Sequence, residues 1–113
     1  MVAAPLKNKK IDSPIMSHFS KAKFFALLDE KGDIKLLINN ADTPEHTIDI
    51  LNIHGVDTLI CAYLTQKTLD HATSLGIKVF DCGREPISLI SAEKKRQDNT
   101  LIQIPTTVKR YSL

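Results

Sequence analysis

The run Val56-Asp57-Thr58-Leu59-Ile60-Cys61-Ala62-Tyr63 limits the fold more than any other stretch of the chain. It is apolar on both faces where a half-wet strand would alternate polar and apolar residues. A strand of this kind belongs in the middle of a parallel sheet with helices over it.

Its flanks supply those helices. Upstream, Thr43 followed by Pro44 reads as an N-cap with proline at the first helical position. Ile48, Ile50, Leu51 and Ile53 cover a wide apolar face as far as His54, and Gly55 marks the end. Downstream, Thr65 caps a second helix from Gln66 to about Leu75, with Leu69, Ala72 and Leu75 on one side and Gly76 after it. Ile77–Asp81 is the next strand, and Glu85-Pro86 is expected to open a third helix reaching Lys95 or Arg96. Strands separated by helices pair in parallel through right-handed crossovers.

The first half of the chain is built differently. Val2–Leu6 reads as a short strand and Lys7–Ser20 as a polar loop, with Asp12-Ser13-Pro14 as turn residues. Lys23–Asp29 and Ile34–Asn39, joined by Glu30-Lys31-Gly32-Asp33, form a β-hairpin. The expected fold is therefore α/β, with a mixed five-stranded sheet. The first, fourth and fifth strands are parallel neighbours and the hairpin extends the sheet on the other side. Residues 1–97 form one domain. Residues 98–113 are an extension, with an edge strand at Thr100–Ile104, a stop at Pro105 and a loose tail.

Composition narrows the function classes. An apolar content of 42% in 113 residues is enough for one packed core. A net charge of +2 is too small for a dedicated nucleic-acid binder. No apolar run approaches the ~20 residues of a membrane span, and Pro5 and Lys7 cut the apolar start far short of a signal-peptide core. Cys61 and Cys82 show no CxxC or zinc-finger spacing. The expectation is a cytoplasmic protein with reduced thiols.

Ligands of open α/β sheets bind beyond the carboxyl ends of the parallel strands, near the point where strand order reverses. Three chemistry-bearing residues follow such strands: His18 in the loop after the first, Cys61 near the end of the fourth, and Cys82 just after the fifth. Sulfur and imidazole together are a ligand set for iron–sulfur clusters, copper or zinc. Lys21 and Lys23, with Lys10 nearby, would balance the negative charge of a sulfide cluster. Each residue also has a plainer reading. A cysteine in a core strand serves as a small hydrophobe, a loop histidine sits at the surface, and lysine runs form solvated faces. His54 and His71 read as surface residues, and His46 falls at the start of the first helix without a clear place in the site. Enzyme activity is not expected. Asp12, Asp29, Asp57 and Asp81 form no spacing motif for Mg²⁺ chemistry, and no third group is apparent to orient a Cys–His nucleophile.

Three stretches, in order, resemble a known family, the dinitrogenase iron–molybdenum cofactor biosynthesis proteins, which include NifX-like carriers and the domain at the end of NifB. Ser17-His18-Phe19-Ser20-Lys21-Ala22-Lys23-Phe24-Phe25 is similar to the family's HFGRAxxF stretch. His54-Gly55-Val56-Asp57-Thr58-Leu59-Ile60-Cys61 is similar to LGVDVVIxG, and Leu69 to Phe80 to ALxxxGIKVY. The resemblance covers roughly residues 1–92. It implies a ribonuclease-H-like fold and the binding or carrying of an iron–sulfur–molybdenum cluster or its precursor, without turnover. It also implies nitrogenase-assembly or other metalloprotein partners, and His18 as the cluster ligand. Ser20 stands where the family has glycine after the His-Phe pair, and Asn40–His46 has no glycine. The alternative is a module of the same fold that binds a partner and has lost the cluster.

Overall fold

A computed structural model describes residues 1–104. The strands are β1 (Val2–Leu6), β2 (Phe24–Leu28), β3 (Ile34–Ile38), β4 (Thr58–Cys61), β5 (Lys78–Asp81) and β6 (Ile102–Gln103). The helices are α1 (Pro44–Ile53), α2 (Gln66–Ser74) and α3 (Leu89–Gln97), and a short 3-10 turn spans Phe19–Lys21. The strands form one mixed sheet in the order β3-β2-β1-β4-β5-β6. β1, β4 and β5 are parallel neighbours, and the β2–β3 hairpin adds antiparallel to β1. This is the arrangement expected from the sequence, with one correction. The sheet has six strands, because Ile102 and Gln103 pair antiparallel with Asp81 and Phe80. The proposed extension thus contributes its first residues to the same sheet. The tail expected after Pro105 lies outside the described residues.

The period of two sorts each strand between two cores. Ala3, Phe25, Leu27, Leu59, Cys61 and Val79 face Ile48 and Leu51 of α1 and Leu69 and Ala72 of α2. Val2, Ala4, Leu6, Ala26 and Ile60 face Leu89 and Ala92 of α3. Caps fix the helix starts: the Thr43 hydroxyl accepts the His46 N–H at 3.0 Å and the Thr65 hydroxyl accepts that of Thr68 at 3.3 Å. Gly55, at φ +86°, lets the chain leave α1 and enter β4 in a conformation that a side chain disfavours.

The third helix starts later than expected. Ser88 is its N-cap, accepting the Ser91 N–H. The residues assigned to its first turn are committed elsewhere: the Ile87 carbonyl accepts the Ile15 N–H at 2.8 Å, and Ser88 bridges Pro14. Backbone used in an extended pairing is not available to a helix.

Pro5 shapes the end of the sheet where the parallel strands finish. The Met1 carbonyl accepts the Thr58 N–H, so alternate residues of β1, next Ala3 and then Pro5, address β4. Pro5 has no N–H to give, and the β1–β4 pairing stops at Ala3–Leu59. The Pro5 carbonyl instead accepts the Met16 N–H at 2.8 Å, and the Pro14 carbonyl accepts the Lys7 N–H at 3.1 Å. The loop after β1 is thereby folded back against the strand it has just left.

Candidate functional site

That folded-back loop carries His18 to the carboxyl end of the sheet. The Tyr63 N–H donates to the Ser17 carbonyl at 2.9 Å and the Phe19 N–H donates to the Tyr63 carbonyl at 3.3 Å, a short parallel pairing of His18 with Tyr63 beyond the end of β4. Phe19, only 1% exposed, anchors the segment in the core and meets Phe25 edge-on with ring centroids 5.3 Å apart. His18 is left exposed between a buried neighbour and a paired backbone.

Its ring lies on Tyr63, with centroids 5.1 Å apart and planes inclined by 21°. The Arg84 guanidinium, from the loop after β5, also lies over Tyr63, 5.5 Å from the ring centroid. His18, Phe19 and Ser20 form one wall of a cleft of about 180 Å³. Pro44, at the start of α1, and Tyr63, Leu64, Thr65 and Thr68, at the start of α2, form the rest. Two helix N-termini therefore border the cleft, each a region of partial positive charge. One is already partly satisfied: Glu45 accepts the Thr68 hydroxyl at 2.7 Å and lies 3.6 Å from the Lys67 ammonium. Lys21, Lys23 and Arg84 make no ion pair among the described residues. The His18 ring nitrogens have no hydrogen-bond partner among them either.

The two cysteines do not join this cleft. Cys61 pairs with Asp81 in the sheet and is completely buried on the α1–α2 side. Cys82, one residue farther on, faces the α3 side with Ile60 and Phe80. The pleat therefore places the thiols on opposite faces, although their backbones are hydrogen-bonded, the Cys82 N–H to the Cys61 carbonyl, at 3.0 Å. Burial pushes the Cys61 thiol far above its ordinary pKa, with Cys82 and Asp81 adding to it. Burial and then Asp81 also push Cys82 up. Both shifts favour the thiol over the thiolate, which is the metal-binding form. The sequence placed these residues at one sheet edge. The structure keeps His18 at that edge and turns the thiols away from it. Among the described residues, no three His, Cys, Asp or Glu side chains converge as a metal-ion site.

The remaining histidines have local partners or none. His46 Nδ1 lies 3.1 Å from Asp42, and its hydrogen bond holds that carboxyl below the usual range. His71 Nε2 lies 2.6 Å from Asp49 and ties α2 to α1. His54 caps the end of α1. Tyr63, which lines the cleft, and Arg84, which lies over its ring, are not among the candidates drawn from the sequence. They follow β4 and β5, so the strand-end rule that picked out Cys61 and Cys82 reaches them equally.

A larger concavity of about 570 Å³ lies at the opposite end of the parallel strands, lined by Asp29, Asp57, Lys78, Glu93 and Arg96 among others. Its two best-placed charges already satisfy each other. Glu93, 7% exposed, is held by the Arg96 guanidinium through both carboxylate oxygens, and Arg96 also stacks over Phe80. The candidate site is therefore the cleft at the carboxyl end, where the His18 ring nitrogens have no hydrogen-bond partner and Lys21, Lys23 and Arg84 no ion pair among the described residues.

Comparison with known proteins agrees with the fold. A sequence family described as "Dinitrogenase iron-molybdenum cofactor" matches residues 1–93. No curated protein matches the chain. Among solved structures, the apo form of the orange protein from Desulfovibrio gigas is similar with a TM-score of 0.81 at 16% identity, covering 91% of each chain. A Thermotoga structure described as a candidate NifB protein is similar with a TM-score of 0.71 at 24% identity, covering 90% of each chain. A Methanocaldococcus jannaschii structure described as a candidate dinitrogenase is similar with a TM-score of 0.68 at 16% identity, covering 91% of this chain and 92% of that one.

Proposed function

The chain belongs to the dinitrogenase iron–molybdenum cofactor family, and we propose that it binds and carries an iron–sulfur or iron–molybdenum–sulfur cluster, or a precursor of one, without turning it over. The observation that carries this reading is the isolation of His18. A bare metal ion needs three or four protein donors to close its coordination shell, and among the described residues no such set surrounds this imidazole. A preassembled cluster brings its own bridging sulfides, so a carrier can dock it through fewer protein donors than a bare ion needs, here the one imidazole. A single rigid imidazole at the surface suits such a cargo, because releasing it to an acceptor breaks one protein bond.

Charge supports the same reading. A sulfide cluster is anionic; Lys21, Lys23 and Arg84 make no ion pair among the described residues, and two helix N-termini border the cleft. In this role His18 ligates, Lys21 and Lys23 neutralise, and Tyr63 holds the ligand ring. In the same reading Cys61 and Cys82 serve as packing residues and not as extra ligands. The strand order β3-β2-β1-β4-β5 also supports the ribonuclease-H-like assignment. A carrier of this kind works in the cytoplasm with nitrogenase-assembly or other metalloprotein partners.

The test is anaerobic incubation with an extruded iron–molybdenum cluster, followed by absorption and electron paramagnetic resonance spectra of the wild type and His18→Ala. Loss of the cluster signal in the variant is expected. Equal retention by both proteins removes His18 from the site.

One observation favours a second reading, a partner-binding module that has lost the cluster. The cleft is walled by the side chains of Ser20, Pro44 and Thr65, with no glycine among its lining residues to admit a large anion against bare backbone. Under that reading the wild type retains no cluster and a cellular partner copurifies with it.

A further inference from the structure

The sheet ends at β3, and the direction of its backbone groups can be read from its neighbours. The Lys23 carbonyl accepts the Asn39 N–H, and the Asp33 carbonyl accepts the Asp29 N–H. Odd-numbered residues of β3 therefore face β2. The N–H and C=O groups of Ile34, Leu36 and Ile38 face outward, and among the described residues no strand pairs with them. The devices that usually blunt such an edge are missing from those positions: no proline, no bulge and no charged side chain. Ile38 is 51% exposed, while Ile34 and Leu36 are half-buried and α3 lies nearer to β1 and β4.

We propose that β3 pairs with β3 of a second copy of this chain, antiparallel, about a dyad at Leu36. In that register Ile34 lies opposite Ile38, Leu36 lies opposite itself, and every outward N–H meets an outward carbonyl. Each cross-strand pair on the α3 side is apolar. On the other side Lys35 lies opposite Leu37, so the single charge of the strand does not oppose its own copy. A register centred on Lys35 would set two ammonium groups face to face. The pattern Ile-Lys-Leu-Leu-Ile is thus complementary to itself about Leu36, as an isologous two-fold contact requires. A second copy fits it better than an unrelated strand does. The dyad inverts one sheet relative to the other, so the two His18 clefts fall at opposite ends of a continuous sheet and stay open. The inference stands independently of what the cleft holds.

Analytical ultracentrifugation and hydrogen exchange on the full chain decide it. At high concentration the expected mass is twice 12.6 kDa, reverting to the monomer on dilution. The amides of Ile34, Leu36 and Ile38 should exchange more slowly in the concentrated sample, while those of Lys35 and Leu37, already bonded to β2, should not change. Leu36→Lys places like charges on the dyad and should give a monomer, as should Ile38→Lys at a more exposed position, which decides the matter if Leu36→Lys misfolds. Mixing Leu36→Lys with Leu36→Glu should restore a dimer. A wild type that stays monomeric at millimolar concentration overturns the proposal, as does a dimer that survives Ile38→Lys or whose concentration-dependent protection falls outside β3.

Discussion

The rings of His18 and Tyr63 lie 5.1 Å apart and within 21° of parallel, and the backbones of the same two residues pair across the end of the sheet. A histidine that would otherwise hang from a loop is thereby given one orientation. Removing the ring of Tyr63 should loosen the ligand without unfolding the protein. Tyr63→Ala is expected to cost about 0.5–1.5 kcal/mol in urea unfolding and to weaken cluster binding several-fold, while Tyr63→Phe keeps the stack and should keep binding. Equal cluster affinity in Tyr63→Ala and the wild type would show that the stack does not position His18.

Phe19 is the hidden half of the same device. Its side chain is 1% exposed and reaches Phe25 in the core, so it fixes the loop from below. Phe19→Ala should destabilise the fold by about 3–5 kcal/mol, measured as a lower urea midpoint. A change below about 1 kcal/mol would mean that the loop is held by its backbone pairing alone.

The cleft depends on the helix starts that border it. The Thr43 hydroxyl caps α1, and Pro44 next to it lines the cleft. Thr43→Ala should cost about 1 kcal/mol, and Thr43→Ser should be nearly neutral because it keeps the oxygen. Thermal unfolding of the pair separates the lost hydrogen bond from the lost methyl group.

Alkaline pH should destabilise the protein through its thiols. Burial raises both cysteines in the folded state, Cys61 far more than Cys82. In the unfolded chain a thiol ionises near pH 8.5. Above that pH the unfolded state has lost a proton that the native state retains, so the unfolding free energy falls with rising pH. The stabilising contribution is complete below the unfolded pKa and is lost as pH rises toward the folded one. The limiting slope is about 1.4 kcal/mol per pH unit for Cys61, with a smaller part from Cys82. Urea unfolding between pH 8 and 10 checks this. Cys61→Ala should flatten the curve, and an unchanged slope would show that other groups set it.

Much of the fold is determined locally and was legible in the sequence. The two-faced apolar run at Val56–Tyr63 required helices on both sides, the Thr43-Pro44 and Thr65 caps started two of them, and Gly32 turned the hairpin. These are rules of neighbouring residues, so a sequence states them directly. The start of α3 escaped because Ile87 and Ser88 are claimed by Pro14 and Ile15, residues far away along the chain. The edge strand expected at Thr100–Ile104 is present beside β5, but only Ile102 and Gln103 pair, because the extent of so short a strand is set by its partner more than by its own composition.

The candidate site divides in the same way. Sequence order by itself brought His18, Cys61 and Cys82 to one edge of the sheet, since strand direction follows from connectivity. Which of them share a surface depends on the pleat, where one residue of register reverses the face, and on where neighbouring loops fold back. Tertiary structure alone buried Cys61, turned Cys82 toward α3, laid His18 on Tyr63 and set Arg84 over the same ring. Connectivity is written in the order of residues, whereas the face a side chain presents is fixed only when the sheet and its covering helices pack.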